Sequence, residues 1–267
     1  VKYGLIAGGG RFPLMALESA RADGHQMVVA AIREEALPEV EQAADECHWI
    51  SLGDLSKLIR IFRDAGVSQA VMAGRVQHTK IFSAIRPDWR LLKVLTALRR
   101  KNTDSLIGAV AQVLADEGIE LLDSTFFLQP YLAKPGANGK RKPSKDDLAD
   151  IEYGREVATA VAGFDIGQSV AICERACVAV EAMEGTDAVI LRAAELVNGR
   201  RLTIVKRAKP KQDMRFDVPV IGPTTIRKMS RSNARTLAVE AHRTLLIDRD
   251  ELLEEADREG VAVWGFE

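Results

Sequence analysis

The chain has 267 residues, 47% hydrophobic and 28% charged, which suits one large or two modest globular domains with sizeable cores. Its 37 Lys and Arg nearly cancel its 38 Asp and Glu, so a net charge of −1 removes the global electrostatic case for nucleic acid. Three cysteines (Cys47, Cys173, Cys177) are too scattered for a disulfide framework or a zinc site, and no apolar run approaches the ~20 residues a bilayer span needs.

Tyr3 to Ala7 reads as a buried first strand, so no signal peptide is expected and the protein is expected in a reducing cytoplasm. Gly8-Gly9-Gly10 follow, then Arg11-Phe12-Pro13 and a helical pattern through Ala22. Strand, glycine turn and helix N-terminus together present N–H groups to an anion. Glycine also lets a phosphate approach the backbone closely. Gly9, Gly10 and Arg11 are therefore candidate phosphate or nucleotide contacts, with a tight ligand-free turn as the alternative. The turn does not fit NAD, because Pro13 stands where a third glycine belongs and the second strand, Met27 to Ile32, ends in Arg33 rather than an acid. No Gly-Lys-Ser/Thr follows, which excludes a P-loop.

Strands and helices continue to alternate. Pro38 to Asp45 predicts a short helix and Cys47 to Ile50 a strand; Asp54 is expected to cap a helix running to Ala65. Gln69 to Ala73 is the next strand, and Gly74 and Arg75 sit at its carboxyl end, where open α/β sheets bind ligands. Helices over Trp89 to Arg99 and Thr103 to Glu117 and a strand over Ile119 to Leu122 complete a mostly parallel sheet with helices on both faces. The Pro, Gly and basic run between Pro130 and Asp147 then breaks the pattern. It predicts a domain over 1–130, a flexible linker over 131–147 and a second α/β domain over 148–267. The linker's Lys140-Arg141-Lys142 is a solvated cluster or one that lies against anionic lipid head groups.

The second half predicts a helix over Asp146 to Ala162 and a hairpin of Gln168 to Cys173 with Cys177 to Glu181. Next comes a helix capped by Thr186 and running to Val197, then a strand over Leu202 to Val205. After the charged loop come a helix from Pro223, strands over Leu237 to Glu240 and Thr244 to Ile247, a helix over Asp248 to Glu259 and a strand over Val261 to Phe266.

The chemistry concentrates in Lys206 to Pro223, which holds Lys206, Arg207, Lys209, Lys211 and Arg215 beside Asp213 and Asp217. Three prolines (Pro210, Pro219, Pro223) bar a continuous helix there. Cations that offset phosphate charge, beside carboxylates that hold a divalent ion or a water, are what a metal-assisted diphosphate site needs. A solvated charged loop is the competing reading. His25, His48, His78 and His242 form no ligand spacing, and no Gly-x-Ser-x-Gly elbow supports a serine hydrolase. Hard carboxylate donors suit magnesium or manganese rather than zinc.

These residues resemble one known family. Gly4-Leu5-Ile6-Ala7-Gly8-Gly9-Gly10 with Pro13 is similar to the N-terminus of the LpxI family, a type of UDP-2,3-diacylglucosamine pyrophosphatase of lipid A biosynthesis. Further matches in order are Ala73-Gly74-Arg75-Val76, Asp165-Ile166-Gly167-Gln168, and Ala179 to Ala182 running into Glu184-Gly185-Thr186-Asp187. The rest are Lys206, Lys209-Pro210, Gln212, Arg215-x-Asp217-x-Pro219 and Ile221-Gly222. Arg207-Ala208 and Ser124-Thr125 depart from the family pattern, which has Ala-Pro and a His-Glu type pair there.

The resemblance implies a Rossmann-like first domain, a second α/β domain and substrate held between them. It implies a magnesium-dependent, dimeric hydrolase at the cytoplasmic face of the inner membrane that releases UMP and 2,3-diacylglucosamine 1-phosphate. Asp217, Asp213 and Lys206 are the expected catalytic residues, with Asp217 and Asp213 also the expected metal ligands. Gly9, Gly10, Arg11, Gly74, Arg75, Gln168, Thr186, Asp187, Lys209, Gln212 and Arg215 are expected to contact substrate. A non-catalytic nucleotide-sugar or lipid-phosphate binding protein is the second reading. A nicotinamide-dependent oxidoreductase is the third, disfavoured at Pro13 and Arg33.

Overall fold

The computed structural model describes residues 1–76, 86–98, 103–210 and 212–267, so His78, Lys211 and the expected helix end at Arg99 lie outside the described residues. The chain divides into two compact units, Val1–Leu128 with Asp213–Asp217, and Gln129–Gln212 with Val218–Glu267.

The first unit runs β1 (Lys2–Ala7), α1 (Phe12–Ala22), β2 (Gln26–Ile32), α2 (Glu39–Ala43), β3 (Glu46–Ile50), α3 (Leu55–Asp64), β4 (Gln69–Ala73), α4 (Trp89–Ala97), α5 (Thr103–Asp116) and β5 (Glu120–Leu121). The strands pair in the order β3-β2-β1-β4-β5, all parallel. β1 is central and buried from Tyr3 to Ala7, which is why it reads as unbroken apolar sequence rather than alternating. The chain winds outward through β2 and β3, then returns past β1 to β4. The order therefore reverses between β1 and β4, and the crevice outside their carboxyl ends is where doubly wound sheets bind ligands. Leu55, Leu58, Ile59 and Phe62 form the buried stripe of α3. Asp54 does not cap that helix with its side chain; its Oδ2 accepts from the Ser51 N–H at 2.9 Å. Asp88 does cap α4, accepting from the Leu91 N–H at 2.9 Å.

The second unit opens with a 3₁₀ turn (Gln129–Tyr131) and continues β6 (Gly136–Ala137), α6 (Lys145–Gly163), β7 (Ser169–Cys173), β8 (Ala176–Val180), α7 (Thr186–Leu196), β9 (Leu202–Lys206), β10 (Val220–Ile221), α8 (Pro223–Arg231), β11 (Ala234–Glu240), β12 (Leu245–Leu246), α9 (Arg249–Glu259) and β13 (Ala262–Phe266). Its main sheet has the order β6-β13-β11-β9-β7-β8. β9, β11 and β13 run parallel, and the β7–β8 hairpin lies antiparallel to β9. Period-two alternation along β9 splits the core: Leu202 and Ile204 join the cluster that includes Ile190, Met229 and Leu252, while Val205 joins Ile151 and Ala158 of α6. Gly154 lets α6 lie close, because a Cβ there would come within 2.6 Å of Val205 Cγ2.

The stretch 131–147 differs from the linker expectation. β6 pairs antiparallel with β13, and Asn138 Nδ2 donates to the Lys134 carbonyl at 2.8 Å. The Lys140 N–H donates to Asp257 Oδ1 at 2.7 Å, and Ser144 with Asp147 forms a capping box on α6. The basic composition belongs to a surface turn of the second unit. β12 likewise lies outside the main sheet, paired in parallel with β10. No helix among the described residues is long and apolar enough to cross a membrane.

Candidate functional site

In the first unit, the two glycine turns at the crevice are bonded to each other. The Gly8 N–H donates to the Ala73 carbonyl and the Gly9 N–H to the Arg75 carbonyl, both at 2.8 Å, and the Arg75 N–H returns to the Gly9 carbonyl at 3.1 Å. This approach requires glycine: a Cβ on Gly8 would lie 2.8 Å from the Arg75 carbonyl oxygen, and one on Gly74 2.7 Å from Gly8 C. Two of the turn's N–H groups thus serve the protein itself. Gly10, at φ +90° and exposed, follows them at the start of α1. Arg11 is ion-paired with Glu18 at 3.0 Å one face along α1, and Arg75 is exposed.

The loop Asp213–Asp217 belongs to this same unit, although it lies between β9 and β10 in sequence. Ser124 holds it. The Ser124 N–H donates to the Met214 carbonyl at 2.9 Å and its hydroxyl to the Arg215 carbonyl at 2.7 Å. Inside the loop the Asp217 N–H donates to the Asp213 carbonyl at 3.0 Å, closing a turn. Arg215 donates to Asp213 through Nε at 2.9 Å and Nη2 at 2.7 Å, and the Arg215 N–H adds a third bond at 3.1 Å. These bonds hold the Asp213 carboxyl below the usual carboxylate range, against desolvation that pushes it up. Asp213 and Arg215 are therefore brought together as partners of each other, with Asp217 at the other end of the same turn.

In the second unit, Lys206 ends β9 and is buried, with only 8% of its surface exposed. Its ammonium donates to Thr186 Oγ1 at 2.9 Å. Thr186 Oγ1 donates in turn to Glu181 Oε1 at 3.0 Å and lies 3.1 Å from Ser169 Oγ. Thr186 is not the N-cap: Gly185, at φ +85°, takes that place, and the threonine hydroxyl is drawn to Lys206 instead. Glu181 Oε2 is buried and has no hydrogen-bond partner among the described residues. Asp187, beside Thr186, is held by α8, accepting from Thr225 Oγ1 at 2.9 Å and Lys228 Nζ at 2.8 Å. Lys209 pairs with Asp165 at 2.7 Å, and its N–H donates to Gln212 Oε1 at 2.6 Å. Gln168 offers its carbonyl to the Arg207 N–H at 2.8 Å.

Among the described residues no group of three or more His, Cys, Asp and Glu side chains gathers to hold a metal. The carboxylates of the 213–217 turn are nevertheless the hard oxygen donors that magnesium prefers. That ion binds through one or two carboxylates, with waters and substrate phosphates filling its remaining positions.

Sequence reading missed four groups that organise these clusters. Ser124 stood out only as a departure from a family pattern, yet it anchors the charged turn. Ser169 and Glu181 ended a hairpin, and Lys228 lay in a helix; hydroxyls and charges at such places carry no periodic signal. The departure at Ala208 has a physical counterpart, since its N–H donates to Glu240 Oε2 at 3.0 Å and a proline there has no N–H to give.

Comparison with known proteins gives two family matches, the LpxI N-terminal domain over residues 2–131 and the LpxI C-terminal domain over residues 134–264. The chain is 35% identical over 278 aligned residues to the UDP-2,3-diacylglucosamine pyrophosphatase LpxI of Caulobacter vibrioides, covering 100% of this chain and 98% of that one. Among solved structures it is similar to phosphoribosylglycinamide synthetase from Anaerococcus prevotii, at 13% identity and TM-score 0.28 over 64% of this chain and 31% of that one. It is also similar to N5-carboxyaminoimidazole synthetase from Staphylococcus aureus, at 12% identity and TM-score 0.29 over 64% of this chain and 32% of that one. The chain thus spans about a third of those two structures, and similarities of that size carry no argument.

Proposed function

The chain belongs to the LpxI family, and from that premise we propose that it is a hydrolase of lipid A biosynthesis acting on UDP-2,3-diacylglucosamine. The observation that carries this reading is the 35% identity to the Caulobacter vibrioides enzyme along the whole chain. In the reaction a water oxygen bonds to phosphorus, the bridging P–O bond breaks, and the water's proton passes to a base. The products are UMP and 2,3-diacylglucosamine 1-phosphate.

The roles follow from the chemistry of each group. Lys206, Lys209 and Arg215 offset charge on the diphosphate as it builds in the transition state. Asp217 takes the water's proton or holds the metal, and Asp213 stays anionic through its bonds to Arg215. Gly9, Gly10, Arg11, Gly74 and Arg75 of the first unit contact the substrate, as do Gln168, Thr186, Asp187 and Gln212 of the second. Asp217 and Asp213 would hold a magnesium ion, with manganese as the alternative, and the bound ion would offset phosphate charge.

We place the enzyme at the cytoplasmic face of the inner membrane, as a homodimer on the resemblance of the sequence alone. Phe164, Ile166 and Met183, exposed to 79%, 50% and 92%, are the apolar side chains that such a membrane contact would cover.

The test is UMP release from UDP-2,3-diacylglucosamine, with magnesium and with chelator, by wild type and Asp217→Ala. Magnesium-dependent release that is lost in the variant is the expected result. Tight binding of the lipid nucleotide with no release under any divalent metal would replace the hydrolase with a carrier.

A further inference from the structure

Glu181, Ser169 and Lys206 lie side by side across one end of the second unit's main sheet. Ser169 of β7 is paired with Lys206 of β9, and the Glu181 N–H, just past β8, donates to the Ser169 carbonyl at 2.8 Å. Thr186, at the start of α7, completes the group. Ser169 is fully buried, and Glu181 and Lys206 are each only 8% exposed. The chain closes tightly around Glu181: a Cβ on Gly167 would lie 1.9 Å from the Glu181 carbonyl oxygen, so glycine is required there.

The Thr186 hydroxyl has one proton and two lone pairs, and three neighbours take them. The proton goes to Glu181 Oε1 at 3.0 Å, because a carboxylate only accepts. The Lys206 ammonium only donates, and at 2.9 Å it takes one lone pair. The Ser169 hydroxyl, at 3.1 Å, therefore donates to the other. Glu181 sets this direction. Its charge polarises the Thr186 O–H and makes the oxygen a stronger acceptor for the ammonium. With a neutral group in its place, the Thr186 proton is free to turn to Ser169, and Lys206 faces a weaker acceptor. Glu181 Oε2 meanwhile stays buried without a partner among the described residues. Burying an unsatisfied carboxylate oxygen is costly, and packing alone gives no reason to keep a charge here.

We propose that Glu181 is a positioning residue for Lys206: acting through the Thr186 hydroxyl, it holds the ammonium in place for the substrate's diphosphate. The inference rests on the hydrolase reading for the role of Lys206. Glu181 acts only through that ammonium, so its charge matters to turnover only while Lys206 is present.

The test is a double-mutant cycle in the full chain with Glu181→Gln, Lys206→Met and the double variant, each checked for folding by circular dichroism and thermal melting. Glu181→Gln alone is expected to lower kcat for UMP release about ten- to a hundredfold with KM little changed. In the Lys206→Met background the same substitution is expected to change kcat by less than about twofold, because the group it positions is gone. An equal loss in both backgrounds is what a merely structural carboxylate gives, and it overturns the proposal. An unchanged kcat in Glu181→Gln overturns it as well. If Glu181→Gln does not fold, Thr186→Val cuts the same link and takes its place in the cycle; Lys206→Gln likewise replaces an unfolded Lys206→Met. A second readout needs no turnover. In a lysine side-chain NMR spectrum, the Lys206 signal, assigned by its loss in the Lys206 variant, is expected to shift or broaden in Glu181→Gln. If wild type releases no UMP, the hydrolase reading fails separately and this spectrum decides. A Lys206 signal that Glu181→Gln moves supports the positioning role, and one that it leaves unmoved overturns it.

Discussion

Arg215 holds both carboxylate oxygens of Asp213, through Nε at 2.9 Å and Nη2 at 2.7 Å, within a turn suspended from Ser124. A fork-to-fork pair of this kind is stronger than a single contact and fixes the turn's geometry. Those bonds lower the folded-state pKa of Asp213 below its unfolded value of about 3.9. The linked stabilisation is therefore complete above about pH 4 and is lost as pH falls through the lowered value. Both partners are part-exposed, which keeps the effect small. Arg215→Gln is expected to lower stability by about 0.5–1 kcal/mol at pH 7, with the difference from wild type vanishing in acid. Urea titrations at pH 7 and pH 3 check this; an equal difference at both values would show that the pair is not its source.

Asp217 closes the other end of that turn, its N–H donating to the Asp213 carbonyl at 3.0 Å, and it is the carboxylate proposed to act on water or metal. Asp217→Asn keeps the size of the side chain and removes its charge. A fall in kcat of about 10²–10³ is expected, equivalent to ~3–4 kcal/mol of transition-state stabilisation. Steady-state kinetics with saturating magnesium measure it, and a change confined to KM would assign Asp217 to binding alone.

Thr186 is the shared partner of Lys206 and Glu181. Thr186→Val keeps the shape and removes the hydroxyl, so a buried ammonium and a buried carboxylate each lose a bond. The expected destabilisation is about 1–3 kcal/mol, with Thr186→Ser close to wild type. Denaturant midpoints of the two variants decide it; equal midpoints would mean that the hydroxyl contributes nothing.

Gly8 and Gly10 separate two reasons for glycine in one turn. A Cβ at Gly8 collides with backbone at 2.8 Å, whereas Gly10 has open space and a φ of +90°. Gly8→Ala is expected to cost about 3 kcal/mol or more, because the β1–β4 turn pair must move. Gly10→Ala is expected to cost about 1–2 kcal/mol, for backbone strain alone. Thermal melts rank them, and the reverse order would refute the assignment of close approach to Gly8.

Phe164 and Met183 are apolar side chains left in water by the second unit. If they enter a lipid surface, replacing both with serine should weaken co-sedimentation with anionic vesicles about a hundredfold, since burying each contributes on the order of 1.5 kcal/mol. Unchanged sedimentation at low and high salt would remove the membrane from their explanation.

The sequence exposed what depends on local pattern. β1 announces itself as an unbroken apolar run because both its faces are covered. α3 is visible in the spacing of Leu55, Leu58, Ile59 and Phe62. The triple glycine is legible as a turn, but not its pairing with Gly74 and Arg75, since a contact between distant segments leaves no period in either. β6 escaped notice because two residues are too few for alternation, and its Pro, Gly and Lys neighbours resemble a linker in composition. Thr186 drew attention as a cap. Its hydroxyl went instead to Lys206, a tertiary demand that local cap rules do not contain. The cations and carboxylates of the 206–217 stretch were conspicuous as a group, while their division between two units was not.

That division bears on how the protein can be cut and inherited. The two family domains meet between residues 131 and 134, which invites treating the halves as interchangeable cassettes. The first unit nevertheless borrows Asp213–Asp217 from the C-terminal half, so a fragment ending at the seam leaves Ser124 with no loop to hold. A chimera joined there brings together a Ser124 position and a 213–217 turn that have never been selected in company. The halves of this protein are bound to diverge as a pair.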